Sequence, residues 1–263
     1  MTTLLIDMDG VLTKDKEFNP FPYAPTFIRN LKERGVPFRV VSNNSTRSPK
    51  AIVDLLKGKG FDLDYSDLIT PVAVLPNYLR ERGVRKVFVI GTPMLGGFLR
   101  ESGFEVREDH EVDAVIIGQD KEIDFIKIKT ATSAVFLRGA RIVPVNLSRI
   151  VRDSDGLYFP GAGSTARMIA HATGYTDDIP NLGKPSREFI DMALKGLPRD
   201  RVILVSDDIY TDLMGAREIG LETAFMTTGK YREEELKRAG FTPDHVFHSL
   251  EELENKIFTW SKD

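Results

Sequence analysis

Short β-rich runs alternate with amphipathic stretches along this chain, and that alternation restricts the fold more than any other feature. Residues 3–7 and 36–42 have the composition of strands, whereas residues 26–34 have a helical apolar period and are followed by Gly35. Ser48-Pro49 then begins a second helix, with serine as N-cap and proline at the first helical position. Strand, helix, strand, helix predicts an α/β fold with a parallel sheet.

The same alternation recurs in the middle and in the last third of the chain. The further predicted strands are residues 86–90, 114–117, 141–145, 202–205 and 223–226. The further predicted helices are residues 94–102, 124–138, 186–194, 210–218 and a last helix from about Ser249. Thr70-Pro71 and the polar run 176–181 are predicted to be loops or hinges.

Bulk composition narrows the function classes. The chain has 263 residues, which permits one large domain or two, and a net charge of -3 without a basic stripe, so a nucleic-acid partner is not expected. There are no cysteines, so any metal must bind oxygen or histidine, and the four histidines show no ligand spacing. The apolar N-terminal run meets Asp7 too early for a signal peptide or a membrane span, which predicts a cytoplasmic protein without a membrane partner.

Two carboxylates follow the first strand. Four residues, Thr3 to Ile6, lead to Asp7, and Gly10 follows, so Asp7 is expected at the carboxyl end of a buried strand, where open α/β sheets bind ligands. Asp9, two residues on, can face the same site. Such a pair suits phosphoryl transfer, in which one carboxylate attacks phosphorus and the other moves protons. The alternative is a solvated acidic turn.

Polar residues also follow the second strand, at Ser42-Asn43-Asn44. Hydroxyls, amides and backbone donors at a strand end are suited to holding phosphate oxygens. The alternative is a strand-to-helix loop in which Ser and Asn serve as caps.

Lys184 lies in Gly183-Lys184-Pro185-Ser186, at the opening of a predicted helix. A lysine there could place a positive charge against both a phosphate and an attacking carboxylate. A surface lysine is the alternative. The segment lacks the upstream glycine of a nucleotide-binding P-loop, which excludes that motif.

A second acidic group follows the strand at 202–205. Asp207 comes after Ser206, and Asp212 lies one helical turn later. Magnesium takes about six oxygen ligands, usually from one or two carboxylates, waters and a substrate phosphate, so Asp7 and Asp207 are suitable ligands. Alternatively, Asp207 or Asp208 caps the next helix, and both roles can coexist there.

The order of these motifs resembles the haloacid dehalogenase superfamily of aspartyl-phosphate phosphatases. Four segments carry the resemblance: residues 7–13, Ser42 to Ser45, Lys184 and residues 207–212. The large insertion, with the run Gly156 to Ser164, looks like the NagD-like, para-nitrophenyl-phosphatase subgroup. The resemblance covers nearly the whole chain.

The resemblance implies a role for each matched residue and a small phosphate ester as substrate. Asp7 would be the nucleophile, Asp9 the general acid and base, and Lys184 the residue that neutralises charge. Ser42 and Asn43, with Asn44 beside them, would bind phosphate. Mg²⁺ would be held by the Asp7 side chain, the Asp9 carbonyl and Asp207, with Asp212 in support.

The resemblance also implies the domain organisation and the chemistry of the insertion. A Rossmann-like catalytic core would comprise residues 1–72 and 181–263, and an α/β cap would comprise residues 73–180, closing over the site and choosing the ester. Asn146 of the cap would contact substrate. Apart from the resemblance, a homodimer through the cap is a further expectation.

Three departures from the subgroup pattern limit the transfer of roles. Ser206 stands where the subgroup usually has Gly, and Asp208 stands where it usually has Arg. In the cap, the usual Asn-Pro-Asp is Asn146-Leu147-Ser148. The substrate therefore cannot be transferred from the subgroup.

Other functions fit parts of the sequence. Gly161 to Ala166 has the form of a dinucleotide-binding turn, although a tight cap turn with Ser164 as N-cap also explains it. An acidic strand-end cluster could store a phosphoryl group as a sensor instead of turning it over, but Asp9 favours turnover. A phosphotransferase that passes the group to an alcohol remains a third alternative.

Overall fold

The computed structural model describes residues 2–152 and 157–260, and its elements alternate as the sequence pattern predicts. Gly156, the first residue of the insertion run, lies outside the described residues. The strands are β1 (Thr2–Asp7), β2 (Phe38–Val41), β3 (Leu68–Ile69), β4 (Lys86–Ile90), β5 (Glu105–Val106), β6 (Ala114–Ile117), β7 (Arg141–Pro144), β8 (Ile150–Arg152), β9 (Tyr158–Pro160), β10 (Arg201–Ser206), β11 (Glu222–Met226) and β12 (His245–Phe247).

The helices lie between these strands. They are α1 (Ala24–Glu33), α2 (Pro49–Gly58), α3 (Pro71–Glu81), α4 (Pro93–Glu101), α5 (Phe125–Arg138), α6 (Ala162–Thr173), α7 (Arg187–Ala193), α8 (Met214–Glu218), α9 (Glu234–Ala239) and α10 (Leu250–Trp260), with a 3₁₀ turn at Tyr65–Asp67 and a π-helical turn at Ile209–Leu213. Among the described residues, none of the helices has the length and apolar composition needed to cross a bilayer.

The chain divides into two compact units. The first contains Met1–Ser42, Pro49–Ile69 and Lys184–Asp263, and the second contains Asn43–Ser48 and Thr70–Gly183. Each unit has its own parallel sheet, which confirms the predicted α/β class.

The first unit is built on a six-stranded sheet in the order β12-β11-β10-β1-β2-β3, and every neighbouring pair is parallel. The central strands β1 and β10 are buried along nearly their whole length, as expected when helices cover both faces of a parallel sheet. Leu4 and Ile6 point into one core together with Phe27 of α1 and Ile52 of α2. Phe225 belongs to a separate core cluster.

The second unit has a four-stranded parallel sheet in the order β5-β4-β6-β7 and an antiparallel pair, β8 with β9. Its longest helix, α5, begins after Asp124, whose side chain accepts a hydrogen bond from the Lys127 amide, and ends at Gly139 with φ of 65°. An aspartate N-cap and a left-handed glycine at the end are strong helix boundaries, which is why the sequence predicted this helix within one residue.

At Thr70-Pro71 the connection between β3 and α3 is a single residue, Thr70, and the longer segment of the second unit begins there. Thr70 is also the N-cap of α3, since its hydroxyl accepts a hydrogen bond from the Ala73 amide. One local prediction was wrong: Ser164 is not the N-cap of α6. Gly161 holds that position, and the Ser164 hydroxyl donates to the Arg149 carbonyl at 2.6 Å.

The glycines at the start of α6 have a packing role within the second unit. A Cβ at Gly161 would collide with Ser148, and a Cβ at Gly163 would collide with the backbone of Leu147. In a dinucleotide-binding turn the glycines make room for a pyrophosphate, whereas here the chain's own loop occupies that room. This arrangement favours the tight-turn interpretation of the segment.

Candidate active site

Three parallel strands of the first unit end at one edge of the sheet and carry polar side chains there. Asp7 is the last residue of β1, Ser206 is the last residue of β10, and Ser42 directly follows β2. Asp7 lies opposite Val41 in the β1–β2 register. The carboxyl ends of parallel strands are where α/β folds bind ligands, so the fold brings these side chains to the expected place.

Lys184 lies between two buried carboxylates. Its Nζ is 2.5 Å from Oδ1 of Asp7 and 2.8 Å from Oδ2 of Asp212, and all three residues are buried. Burial opposes the positive charge, but the charges of Asp212 and Asp7 outweigh it and raise the pKa of Lys184. The structure thus excludes the surface-lysine alternative, and Lys184 stays charged at the edge where Asp7 ends its strand.

Asp7 is held in a defined orientation. Its Oδ1 also accepts a hydrogen bond from the Met8 amide at 2.8 Å, and its Oδ2 accepts one from the Ser206 hydroxyl at 3.0 Å. Burial raises the pKa of Asp7 well above its ordinary value, and the charge of Lys184 acts against that shift. A buried, oriented carboxylate next to a lysine has the features of a nucleophile.

Asp9 lies beside Ser42. The Ser42 hydroxyl donates to Oδ2 of Asp9 at 3.2 Å, and Asp9 keeps solvent access while Ser42 is fully buried. The protein atoms around the carboxyl group nevertheless exclude part of the water, and this desolvation raises the pKa of Asp9. A raised pKa favours the protonated form, which a general acid requires.

Asp207 is enclosed by two loops of the same unit. The Lys230 amide donates to its Oδ2 at 2.5 Å, and a Cβ at either Gly10 or Gly229 would collide with its carboxylate. The Thr228 hydroxyl ties the two loops together by donating to the Gly10 carbonyl at 2.7 Å. Burial raises the pKa of Asp207 to about 6.

Asp208 caps the helical segment that follows β10, which confirms the capping prediction for this residue. Its Oδ1 accepts a hydrogen bond from the Thr211 amide at 3.0 Å, and its Oδ2 is 2.9 Å from Nζ of Lys230. The aspartate that stands where the subgroup usually has arginine therefore has its own cation partner.

The donor set fits a magnesium ion better than a softer metal. Asp7, Asp9, Asp207 and Asp212 bring carboxyl oxygens to this edge, and the charges of the other three aspartates act on the pKa of Asp7 against the charge of Lys184. Over residues 2–152 and 157–260, no three His, Cys, Asp or Glu side chains group to hold a metal alone. Magnesium does not need such a cage, because one or two carboxylates suffice when waters and a substrate phosphate complete the shell. A cation would also favour the ionised forms of Asp7 and Asp207.

Three predicted substrate residues belong to the second unit. Asn44 closes its own loop, since its Oδ1 accepts hydrogen bonds from the amides of Thr46 and Arg47. Asn146 Nδ2 is 3.5 Å from the Ser45 hydroxyl, and its Oδ1 accepts from the Ser148 amide. Asn43 lies against Gly183, where a Cβ would collide with its side-chain oxygen.

Sequence reasoning missed the loop that contains Gly229 and Lys230. A signal for it was present, because Thr227-Thr228-Gly229 directly follows strand β11 at the same edge as the predicted site. It also treated Ser206 only as a departure from the subgroup and not as a residue of the site.

Comparisons with known proteins identify the family. A family model described as haloacid dehalogenase-like hydrolase matches residues 4–105, and a second, HAD-hydrolase-like, model matches residues 181–253. An acid sugar phosphatase from Staphylococcus haemolyticus is 31% identical over 249 residues, which cover 94% of this chain and 92% of that protein.

Solved structures give the same result. A p-nitrophenyl phosphatase from Archaeoglobus fulgidus has a TM-score of 0.86 and 32% identity, with 97% of this chain and 98% of that chain covered. A 4-nitrophenylphosphatase from Thermotoga maritima has a TM-score of 0.84 and 28% identity, with 96% of each chain covered. On these matches, the chain belongs to the haloacid dehalogenase-like hydrolases, in the NagD-like, para-nitrophenyl-phosphatase subgroup.

Proposed function

We propose that this hydrolase is a magnesium-dependent phosphatase of small phosphate monoesters that works through an aspartyl-phosphate on Asp7. The observation that carries the proposal is the position of Lys184, buried between Asp7 and Asp212 at the carboxyl edge of the sheet. Sugar phosphates and p-nitrophenyl phosphate are the first substrates to test, because relatives are named for them.

In the proposed first step, Asp7 attacks phosphorus and the bond from phosphorus to the ester oxygen breaks. The leaving oxygen takes a proton from Asp9, whose raised pKa keeps that proton available. Lys184 offsets the negative charge that gathers between the phosphoryl group and Asp7.

In the second step, the Asp9 carboxylate accepts a proton from water, which attacks the phosphoryl group and releases inorganic phosphate and free Asp7. Ser42, Asn43 and Asn44 are proposed to bind phosphate oxygens together with Lys184. Magnesium, when bound by the Asp7 side chain, the Asp9 carbonyl and Asp207, with Asp212 in support, would offset phosphate charge.

Metal dependence is tested by assaying hydrolysis of p-nitrophenyl phosphate after EDTA treatment and again after Mg²⁺ is restored. We expect turnover to disappear and return, and we expect Mg²⁺ to raise the unfolding temperature because it binds only the folded state. Full turnover in EDTA would remove magnesium from the mechanism. Analysis of products with glycerol present separates hydrolysis from transfer to an alcohol, and steady release of phosphate separates an enzyme from a phosphate sensor.

We further propose that the chain forms a homodimer through the second unit. Helix α5 exposes four large apolar side chains, Phe125, Ile126, Phe136 and Leu137, each at least 59% exposed. Phe125 and Phe136 are about three turns apart and lie on one face of the helix. Light scattering should give twice the mass of the chain, and Phe136→Glu should give the mass of one chain. If the wild-type protein had the mass of one chain, the proposed homodimer would be contradicted.

A further inference from the structure

The Ser206 hydroxyl lies between two carboxylates at the end of β10. Its Oγ is 3.0 Å from Oδ2 of Asp7 and 2.8 Å from Oδ2 of Asp212, and the side chain is fully buried. The Asp208 amide donates to the same Oγ at 3.1 Å. Because that amide takes up a lone pair, the single hydroxyl proton is directed to the side where the carboxylates lie.

Ser206 and Lys184 together close a ring of contacts around Asp7. Lys184 Nζ contacts Oδ1 of Asp7 and Oδ2 of Asp212, and Ser206 Oγ contacts Oδ2 of each. Both oxygens of Asp7 therefore have a donor. An aspartate side chain ordinarily has a broad torsion about its last bond, so two donors on opposite oxygens restrict it to one plane.

We infer that Ser206 is a positioning residue whose hydroxyl holds the Asp7 carboxylate in the orientation from which it attacks phosphorus. The inference rests on the proposed function. A hydroxyl has one proton, so it serves Asp7 or Asp212 at a given moment. Once Asp7 carries the phosphoryl group it has lost its charge, and the charged Asp212 becomes the better acceptor. Ser206 changes its hydrogen-bond partner and gains or loses no proton.

This role makes a kinetic prediction that a purely structural role does not make. Removing the hydroxyl should slow the attack by Asp7, whereas ground-state binding of phosphate should not change. For p-nitrophenyl phosphate, kcat/KM reports the steps up to and including transfer to Asp7. A hydrogen bond to a charged group has a typical strength that corresponds to a rate change of about 10- to 100-fold.

The test compares Ser206→Ala with wild type in kcat/KM for p-nitrophenyl phosphate and in the inhibition constant of inorganic phosphate. We expect kcat/KM to fall about 10- to 100-fold while the inhibition constant is unchanged. The matched control is Thr223→Ala, which removes another fully buried hydroxyl that donates to a carboxylate, that of Asp244, at 2.7 Å. It should lower the unfolding temperature without changing kcat/KM.

A second pair of variants keeps the test decisive if the alanine variant folds poorly. Ser206→Thr and Ser206→Val have the same shape and differ in the hydroxyl, so a higher kcat/KM in the threonine variant supports the inference and equal values overturn it. Asp7→Asn, assayed in parallel, separates the two claims. An inactive Asp7→Asn beside a fully active Ser206→Ala overturns the role of Ser206 alone, whereas an active Asp7→Asn overturns the proposed function as well.

Discussion

At the scale of single residues, the proposed chemistry depends on the different surroundings of Asp7 and Asp9. Asp7 is enclosed with Lys184, while Asp9 keeps solvent access and contacts Ser42. A nucleophile benefits from a fixed orientation and a nearby cation, and a residue that exchanges protons with water benefits from access to it. The two carboxylates are thus suited to different parts of one reaction.

Asp9→Asn should lower kcat about 100- to 10,000-fold, because the amide can neither protonate the leaving oxygen nor activate water. The effect on kcat/KM should depend on the leaving group. A sugar phosphate, which has a basic leaving oxygen, should lose more than p-nitrophenyl phosphate, since nitrophenolate departs without a proton. Steady-state assays with both substrates measure this.

The matched control for Asp9→Asn is Asp15→Asn. Asp15 is an exposed carboxylate nearby in sequence that accepts hydrogen bonds from the amides of Glu17 and Asn19. The Asp15→Asn variant should hydrolyse the sugar phosphate and p-nitrophenyl phosphate at wild-type rates. If Asp9→Asn lowered kcat/KM by the same factor for both substrates, a role for Asp9 as the general acid would be contradicted.

Part of this site could be predicted from local sequence and part could not. Asp7 ends a strand, Asp9 lies two residues beyond it and Ser42 directly follows another, and a strand that leads into polar residues is visible in the sequence. The contact of Ser206 with Asp7 joins residues 199 positions apart. It depends on β10 lying next to β1, and strand order is not encoded in any local pattern.

At the scale of elements, the loops that follow β1 and β11 position Asp207. Gly10 has φ of 79° and leaves no room for a Cβ beside that carboxylate. A side chain there is penalised twice, once by the left-handed backbone and once by the collision.

Gly10→Ala should therefore displace Asp207 and weaken magnesium binding. Gly35→Ala is the matched control, because Gly35 has φ of 65° but nothing within 4 Å of a Cβ. We expect Gly10→Ala to lower the free energy of unfolding by about 1–3 kcal/mol more than the control. It should also abolish the rise in unfolding temperature that we expect from Mg²⁺ binding. Similar behaviour of the two variants in urea unfolding and Mg²⁺ titration would show that the close approach to Asp207 is unimportant.

The pairing of β10 with β11 includes an ion pair that makes stability depend on pH. Arg201 donates two hydrogen bonds to Glu222, at 2.8 and 2.7 Å, and these bonds lower the pKa of Glu222. Because the pKa is lower in the folded state, the stabilisation is fully present above the unfolded pKa of about 4.3 and is lost as the pH falls through the folded value.

Glu222→Gln should reduce the free energy of unfolding by less than about 1 kcal/mol at neutral pH, since the pair is partly exposed. The difference between wild type and variant should shrink as the pH falls below about 4.3. Urea unfolding at a series of pH values measures it. A difference that grows toward acid would contradict the assigned direction of the shift.

Longer elements were predictable and short ones were not. Strand β1 and helix α5 were predicted within one residue, because each is long enough to show its period and has clear boundary residues. The strands β5, β8 and β9 have two or three residues, too few for any period. At Thr70-Pro71 the predicted break is only one residue long, because proline also suits the first position of a helix and Pro71 begins α3.

At the scale of the whole molecule, the chain combines a unit that carries the candidate site with a large second unit inserted between its segments. The domain limits at residues 73 and 180 stay a prediction. Residues 43–48 group with the second unit although they directly follow Ser42 of the first. Such a grouping depends on contacts between distant segments, so no break in composition marks it in the sequence.

The inserted unit is proposed to select the ester, which predicts that Asn146→Ala changes substrate preference more than it changes the chemistry. The ratios of kcat/KM among sugar phosphates, nucleotides and phosphoglycolate should shift. The dependence of turnover on Mg²⁺ should stay the same. Asn77→Ala, in helix α3 of the same unit, is the control. A uniform loss across the panel would argue against a role for Asn146 in specificity.

The central claim, that Asp7 becomes phosphorylated, can be measured directly. The enzyme is mixed with p-nitrophenyl phosphate and Mg²⁺, quenched in acid within one turnover, digested and analysed by mass spectrometry. We predict that the peptide containing Asp7 gains the mass of one phosphoryl group, that hydroxylamine removes it, and that Asp7→Asn shows neither the adduct nor turnover. An unmodified peptide from an active enzyme, or an Asp7→Asn variant with activity within about tenfold of wild type, would contradict the mechanism.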